Sequence, residues 1–208
     1  MAEQEKSIGE CVASLDQFNH FMEPYADSMA EVERQLEHLG RELQCKYDHQ
    51  VIHTIQKRLK TLESIQKKLK KRGLDDSFSG AKENLTDIAG IRVVCTSKKD
   101  IYTLVELVKE RSNFIIIKEK DYIKNPKPNG YSSFHLLVGV MAYGLEGIKS
   151  YYPVEIQLRT IAMDYWASIE HQLCYKKPEN EHAERREELK EIADILDTVE
   201  ERMENMMQ

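Results

Sequence analysis

The segment Val154–Arg159, VEIQLR, alternates apolar and polar residues without a break. A two-residue period of that kind describes a strand with one face buried and the other left free. Val154, Ile156 and Leu158 then face a core, while Glu155, Gln157 and Arg159 face away from it. The preceding apolar run, SFHLLVGV, alternates Phe134, Leu136 and Val138 against Ser133 and His135. Pairing of the two runs through the hairpin-like MAYGLEGIKS would bring His135 onto the face of Glu155 and Gln157.

The surrounding pattern predicts a mixed sheet flanked by helices, an α+β fold with α/β-type layers. IRVVCT and FIIIKEK read as further strands, and KDIYTLVELVKER and IAMDYWASIEHQLCYK read as helices. Residues 1–50 form a helical N-terminal extension. Val12, Leu15, Phe18 and Met22 make one stripe in it, Pro24 interrupts, and Met29, Val32, Leu36, Leu39 and Leu43 continue. Leu59, Leu62, Ile65 and Leu69 mark another helix ended by Gly73, followed by a flexible connection, DDSFSGAKENLTD. Residues 178–208 close the chain as an amphipathic helix striped by Leu189, Ile192, Leu196, Val199 and Met203. The central domain is expected at 51–177, and with its extensions it makes a single compact unit.

Composition narrows the classes of function. Hydrophobic residues make up 41% and charged residues 32% of the 208-residue chain, and no apolar run approaches the roughly 20 residues of a membrane span. The polar start, MAEQEK, lacks the apolar region of a secretory signal, so a cytoplasmic protein is expected. Cys11, Cys45, Cys95 and Cys174 are scattered without CxxC pairing, and three of them sit in apolar periodic contexts, which predicts reduced, buried thiols. A net charge of −6 argues against a dedicated nucleic-acid binder, although a basic patch keeps RNA binding open.

Several residues could carry chemistry. Asp87, at the entry to the first recognisable strand, could meet Glu155 across the sheet, and two such carboxylates suit Mg²⁺, which often keeps substrate phosphates as its other ligands. The plainer alternative is a turn cap and a solvated sheet residue. The segment Lys57–Arg72 carries eight basic residues against one Glu, and Lys118, Lys120, Lys124 and Lys127 lead into the loop KNPKPNGYSSFH. These are either phosphate ligands or a solvated helix face. Tyr131 offers a π-face to a base and Asn129 an amide, or the tyrosine simply packs. Cys45, His49 and His53 recur at four-residue intervals, one face of a continuous helix, but no fourth zinc ligand is visible.

Taken together, HTIQKRLKTLES, DIAGIRVVC, KEKDYIKNPKPNGYSSFH, VEIQLRTIAMDYWASIEH and YK resemble, in order and spacing, the synthetase domain of the RelA/SpoT family. The length leaves no room for further hydrolase and regulatory domains, so the chain is similar to the stand-alone small alarmone synthetases. The resemblance implies a nucleotidyltransferase-like sheet and transfer of pyrophosphate from ATP to the ribose 3′-hydroxyl of GTP or GDP, in the stringent response. It implies that Asp87 and Glu155 flank Mg²⁺, with Glu155 also taking the 3′-hydroxyl proton. Arg58 and Arg92 would lie near the adenine and phosphates of ATP, Lys60 and Ser64 near its phosphates, and Lys120 near the transferred group. Tyr131 would stack on guanine, Lys127, Asn129 and His135 would line the acceptor side, and Gln157 and Arg159 would support the catalytic strand. Assembly as a homotetramer through the terminal helices is implied as well. Ser132 departs from the arginine many small synthetases carry there. The alternatives are a toxin-like synthetase acting on the tRNA 3′ end and an inactive regulator that binds nucleotides or RNA.

Overall fold

The computed structural model describes residues 8–144, 147–174 and 182–206. Leu145 and Glu146 of the hairpin connection, Tyr175, Lys176 and the expected boundary after residue 177 lie outside them, as do the side chains of Cys11, Val12 and Cys174. Five strands form one sheet: β1 (Ile52–Leu59), β2 (Ala89–Cys95), β3 (Phe114–Asp121), β4 (Phe134–Tyr143) and β5 (Lys149–Thr160), in the order β1-β2-β5-β4-β3. Only the β2–β5 pair is parallel, which makes the sheet mixed. The helices are α1 (Ile8–Tyr47), α2 (Leu62–Lys71), α3 (Phe78–Asn84), α4 (Lys98–Lys109), α5 (Ile161–Cys174) and α6 (His182–Met206).

The core lies between one face of the sheet and α1 with α4. Ile91, Val93, Leu136, Val138, Val154, Ile156 and Leu158 from the strands pack against Tyr25, Val32, Leu36 and Leu39 of α1 and Ile101, Leu104 and Val105 of α4. The alternation of β5 holds from Val154 to Leu158, with Val154, Ile156 and Leu158 buried and Glu155 and Gln157 part-exposed, and it ends at Arg159, which is buried although it stands on the outward face. A second, smaller cluster joins Trp166 and Ala167 of α5 to Leu189 of α6, with Tyr131, Ala193 and Leu196 against it.

Three expectations change. Pro24 does not interrupt the first helix; it lies inside the 40-residue α1. A proline there loses one backbone hydrogen bond, but Phe21 and Met22 before it and Tyr25 and Met29 after it are all buried, so packing on the sheet carries the helix through. Leu59 belongs to a strand, not to the following helix, because Ile52–Leu59 pairs antiparallel with β2. This edge strand carries His, Gln, Lys and Arg on exposed positions, which dilutes its two-residue period. Thr61 then starts α2 by accepting the Ser64 N–H on its hydroxyl. Within the expected flexible connection, Ser77 caps the short helix α3 in the same way. Gly73, at φ 66°, does follow α2 as foreseen.

The thiols divide: Cys95 is buried, whereas Cys45 is exposed. Cys45, His49 and His53 occupy a helix end, a loop and a strand, so they share no helical face. The His49 ring is instead engaged by the buried Asp100, Nε2 to Oδ1 at 3.1 Å. Among the described residues no group of three or more His, Cys, Asp or Glu side chains is disposed to hold a metal, and no helix is long and apolar enough to cross a membrane.

Candidate active site

The face of the sheet opposite the core is polar, and the strand register aligns its side chains. Gln56 of β1 pairs with Arg92 of β2, Arg92 with Gln157 of β5, Gln157 with His135 of β4, and His135 with Lys120 of β3. Because neighbours in register project to the same side of a sheet, this is one continuous polar row across all five strands. Glu155 and Arg58 lie in the adjoining row, separated by Gly90, whose pairing partners they are. The missing side chain at Gly90 leaves open space above β2.

A cavity of about 380 Å³ opens over this part of the sheet. Gln56, Arg58, Lys60, Asp87, Arg92, Glu155 and Gln157 are among the residues lining it, which unites six of the expected site residues. Lys60 is brought in at the β1–α2 junction, where its N–H donates to the Ile88 carbonyl at 2.9 Å. Its ammonium lies 2.7 Å from Asp87 Oδ2, and Lys68 reaches the same oxygen from α2. Burial works to raise the Asp87 pKa, but the hydrogen bonds and charges of the two lysines outweigh it and hold the carboxyl below its ordinary value. Asp87 Oδ1 is buried and meets no hydrogen-bonding group among the described residues.

Glu155 is held from two sides. His135 Nδ1 lies 3.2 Å from Oε1, and Gln157 donates to Oε2 at 3.2 Å. The His135 hydrogen bond is the largest influence on the carboxyl and lowers its pKa; burial and the Asp87 charge push upward without prevailing. His135 Nε2 is 2.8 Å from the Tyr131 hydroxyl, whose oxygen accepts from Arg159 at 3.1 Å. The imidazole thus bridges the Glu155 carboxylate through Nδ1 and the Tyr131 hydroxyl through Nε2.

Tyr131 is thus tied into the site by its hydroxyl, with the Lys127 ammonium 4.5 Å from its ring centre and Trp166 edge-on at 6.4 Å. Asn129 shapes the turn before it: its Oδ1 accepts the Tyr131 N–H and its Nδ2 donates to Glu170. Ser64 sits in the first turn of α2, bonded to its cap Thr61. Lys120 is exposed on β3 opposite His135. Ser64, Lys120, Lys127, Asn129, Tyr131, His135 and Arg159 are not among the residues lining the cavity, and Ser132 lines a separate small pocket beside Trp166, Ala193 and Leu196.

Three residues escaped the sequence reading. Lys68 falls one helical turn after Ser64 on α2, and Gln56 two before Arg58 on β1, so the helical and strand periods could have found them once β1 was recognised. Asp164, which pairs with both Arg92 and Arg159, left no such signal. The three arginines of the site crowd one another: burial and the charges of Arg159 and Arg58 lower the Arg92 pKa, with only partial relief from Asp164. Such an excess of fixed positive charge favours a polyanion.

Residues 57–180 match the family model described as a region found in RelA / SpoT proteins. The chain is 40% identical over 165 residues to GTP pyrophosphokinase YwaC of Bacillus subtilis, covering 79% of this chain and 78% of the relative. It is 34% identical over 160 residues to GTP pyrophosphokinase YjbM of the same organism, covering 77% and 74%. Among solved structures, the small alarmone synthetase 1 of Bacillus subtilis bound to its product pppGpp superposes with a TM-score of 0.81 at 29% identity, over 92% of this chain and 96% of that one.

Proposed function

The chain belongs to the RelA/SpoT family, and from that premise we propose that it is a GTP pyrophosphokinase making (p)ppGpp for the stringent response. The ribose 3′-oxygen of GTP or GDP bonds to the β-phosphorus of ATP, the bond from that phosphorus to the α-phosphate oxygen breaks, and AMP leaves. The observation that carries the reading is the placement of Glu155, braced by His135 and Gln157, at the edge of an arginine- and lysine-lined cavity that also holds Asp87.

In this reading Glu155 takes the 3′-hydroxyl proton, and its lowered pKa keeps it ionised at neutral pH. Arg58 and Arg92 hold the adenine and phosphates of ATP, Lys60 and Ser64 its phosphates, and Lys120 the transferred group. Tyr131 meets guanine. Lys127, Asn129 and His135 complete the acceptor side, with Gln157 and Arg159 keeping the catalytic strand and loop together. Positioning and charge neutralisation supply most of the rate in phosphoryl transfer.

The donor set suits Mg²⁺. Asp87 offers a buried oxygen that meets no hydrogen-bonding group among the described residues, and Glu155 lines the same cavity; two such carboxylates suit an ion that takes phosphate oxygens and water as its other ligands. Mg²⁺ held there would neutralise charge on the transferring phosphates. Within the basic run around α2, Lys57, Lys60, Lys68 and Lys70 each pair with a carboxylate, which supports a part in the site and the fold. Its nucleotide substrates make the protein a cytoplasmic one in this reading, and the exposed apolar residues of α6 support a homo-oligomer, a tetramer.

The test is transfer of label from γ-labelled ATP to GTP, GDP or tRNA in the presence of Mg²⁺, for the unaltered protein and Glu155→Ala. Label is expected on the guanosine nucleotides, reduced about 10²- to 10⁴-fold by the substitution, the usual contribution of a general base. Label on tRNA alone, or no transfer, overturns the assignment.

A further inference from the structure

Asp164 does not line the cavity, yet it holds two side chains of the site, Arg92 inside the cavity lining and Arg159 outside it. It lies in the first turn of α5, whose start is set by the Thr160 hydroxyl accepting the Met163 N–H at 3.3 Å. One oxygen, Oδ1, accepts from Arg159 Nη1 at 3.0 Å and lies 3.3 Å from Arg92 Nη1. The two arginines come from neighbouring strands, β2 and β5. Arg92 lines the cavity. Arg159 donates to the Tyr131 hydroxyl at 3.1 Å and stands 5.3 Å from its ring centre, and from there the hydrogen bonds run through His135 to Glu155.

The charges leave Asp164 little alternative role. Arg159 is 5% exposed, and a buried guanidinium left without a counterion is strongly destabilising. The other carboxylates of the site are already engaged, Asp87 by Lys60 and Lys68 and Glu155 by His135 and Gln157. The Nε groups of Arg92 and Arg159 are buried and meet no hydrogen-bonding group among the described residues, so neither arginine is anchored through that edge. The Asp164 carboxylate is therefore the ionic anchor that both share.

We propose that Asp164 is a positioning residue that couples the two nucleotide subsites: by holding Arg92 and Arg159 on one oxygen it sets the spacing between the donor side and the acceptor side. A nucleotide that engages one arginine shifts it, the shared oxygen passes that shift to the other, and the second nucleotide then binds a site already arranged. This rests on the pyrophosphokinase reading, in which Arg92 serves ATP and the Arg159–Tyr131 pair serves the guanosine nucleotide.

The experiment is calorimetric binding of a non-hydrolysable ATP analogue and of GDP to the full chain, each alone and with the other saturating. In the unaltered protein each nucleotide is expected to raise the affinity of the other about tenfold, within the usual range of coupling. In Asp164→Asn, which keeps the shape but removes the charge, that factor should fall to about one with the melting temperature still measurable. Asp164→Glu, which keeps the charge, should recover about threefold coupling. Undiminished coupling in a folded Asp164→Asn protein overturns the proposal and leaves Asp164 a structural counterion. If Asp164→Asn does not fold, Arg92→Lys decides, since it keeps the charge but loses the planar fork: reduced coupling supports the proposal and full coupling overturns it. Unaltered protein that binds both nucleotides with coupling but transfers no pyrophosphate removes the pyrophosphokinase reading alone, and absence of binding overturns both.

Discussion

Glu155 and Asp87 reach a lowered pKa by different means, and each means can be removed separately. The His135 hydrogen bond dominates at Glu155, opposed by burial and by Asp87. His135→Ala removes the lowering influence and leaves the raising ones, so the acid limb of the pH–rate profile should move to higher pH. At Asp87 burial is the largest influence and raises the pKa, and only Lys60 and Lys68 together reverse it. A carboxyl with a depressed folded pKa contributes stability that is present above its unfolded value, near 3.8, and lost as pH falls through the folded value. In Lys60→Met with Lys68→Met only burial remains, so the sign inverts: the ionised Asp87 opposes folding and the protein gains stability on acidification toward the pH at which Asp87 protonates. Thermal melts at pH 7 and pH 5 should show the double variant losing about 1.5 kcal/mol or more at pH 7, the scale of hydrogen bonds to charged groups, and recovering part of it at pH 5.

At the scale of elements, α1 and the loop before β4 show tertiary contacts overruling local preference. Proline in a helix interior costs about 3 kcal/mol relative to alanine, and α1 accepts Pro24 because its buried stripe continues on both sides. Pro24→Ala should therefore raise stability, by about 1–3 kcal/mol in a denaturant titration; a loss would mean that the proline sets a bend the sheet requires. In the loop, Gly130 has φ 90°, and a Cβ there would come within 2.8 Å of the Ala193 Cβ and 3.1 Å of the Lys190 Cα on α6. Gly130→Ala must both strain its own backbone and push the loop off α6. Since Tyr131 follows directly, the KM for GTP should rise several-fold while the KM for ATP changes less, measured by initial rates.

Across the whole molecule, α6 presents two apolar sets. Leu189, Ala193 and Leu196 pack against α5 and the Tyr131 loop, whereas Ile192, Ile195, Val199, Met203 and Met206 are exposed, a stripe that monomeric proteins seldom leave uncovered. If this stripe joins copies of the chain, light scattering of the unaltered protein should give about four times the 24.3 kDa of one chain, and Ile195→Glu with Val199→Glu should reduce that mass. The residues alone determined a good deal of the molecule: the period of VEIQLR dictates which side chains face the core, and the polar types at Glu155, Gln157, His135 and Asp87 announce the chemistry available. Strand periods are local and survive in sequence because each residue's burial follows from its own face. Edge strand β1 did not survive, since an exposed strand has no strict alternation to read and its identity rests on pairing with β2. Only the tertiary structure decided the strand order, the insertion of β5 between β2 and β4, and hence that Arg92 and Arg159 meet on Asp164. Such contacts join residues distant in the chain through backbone register and charge pairing, and neither leaves a periodic trace in the sequence.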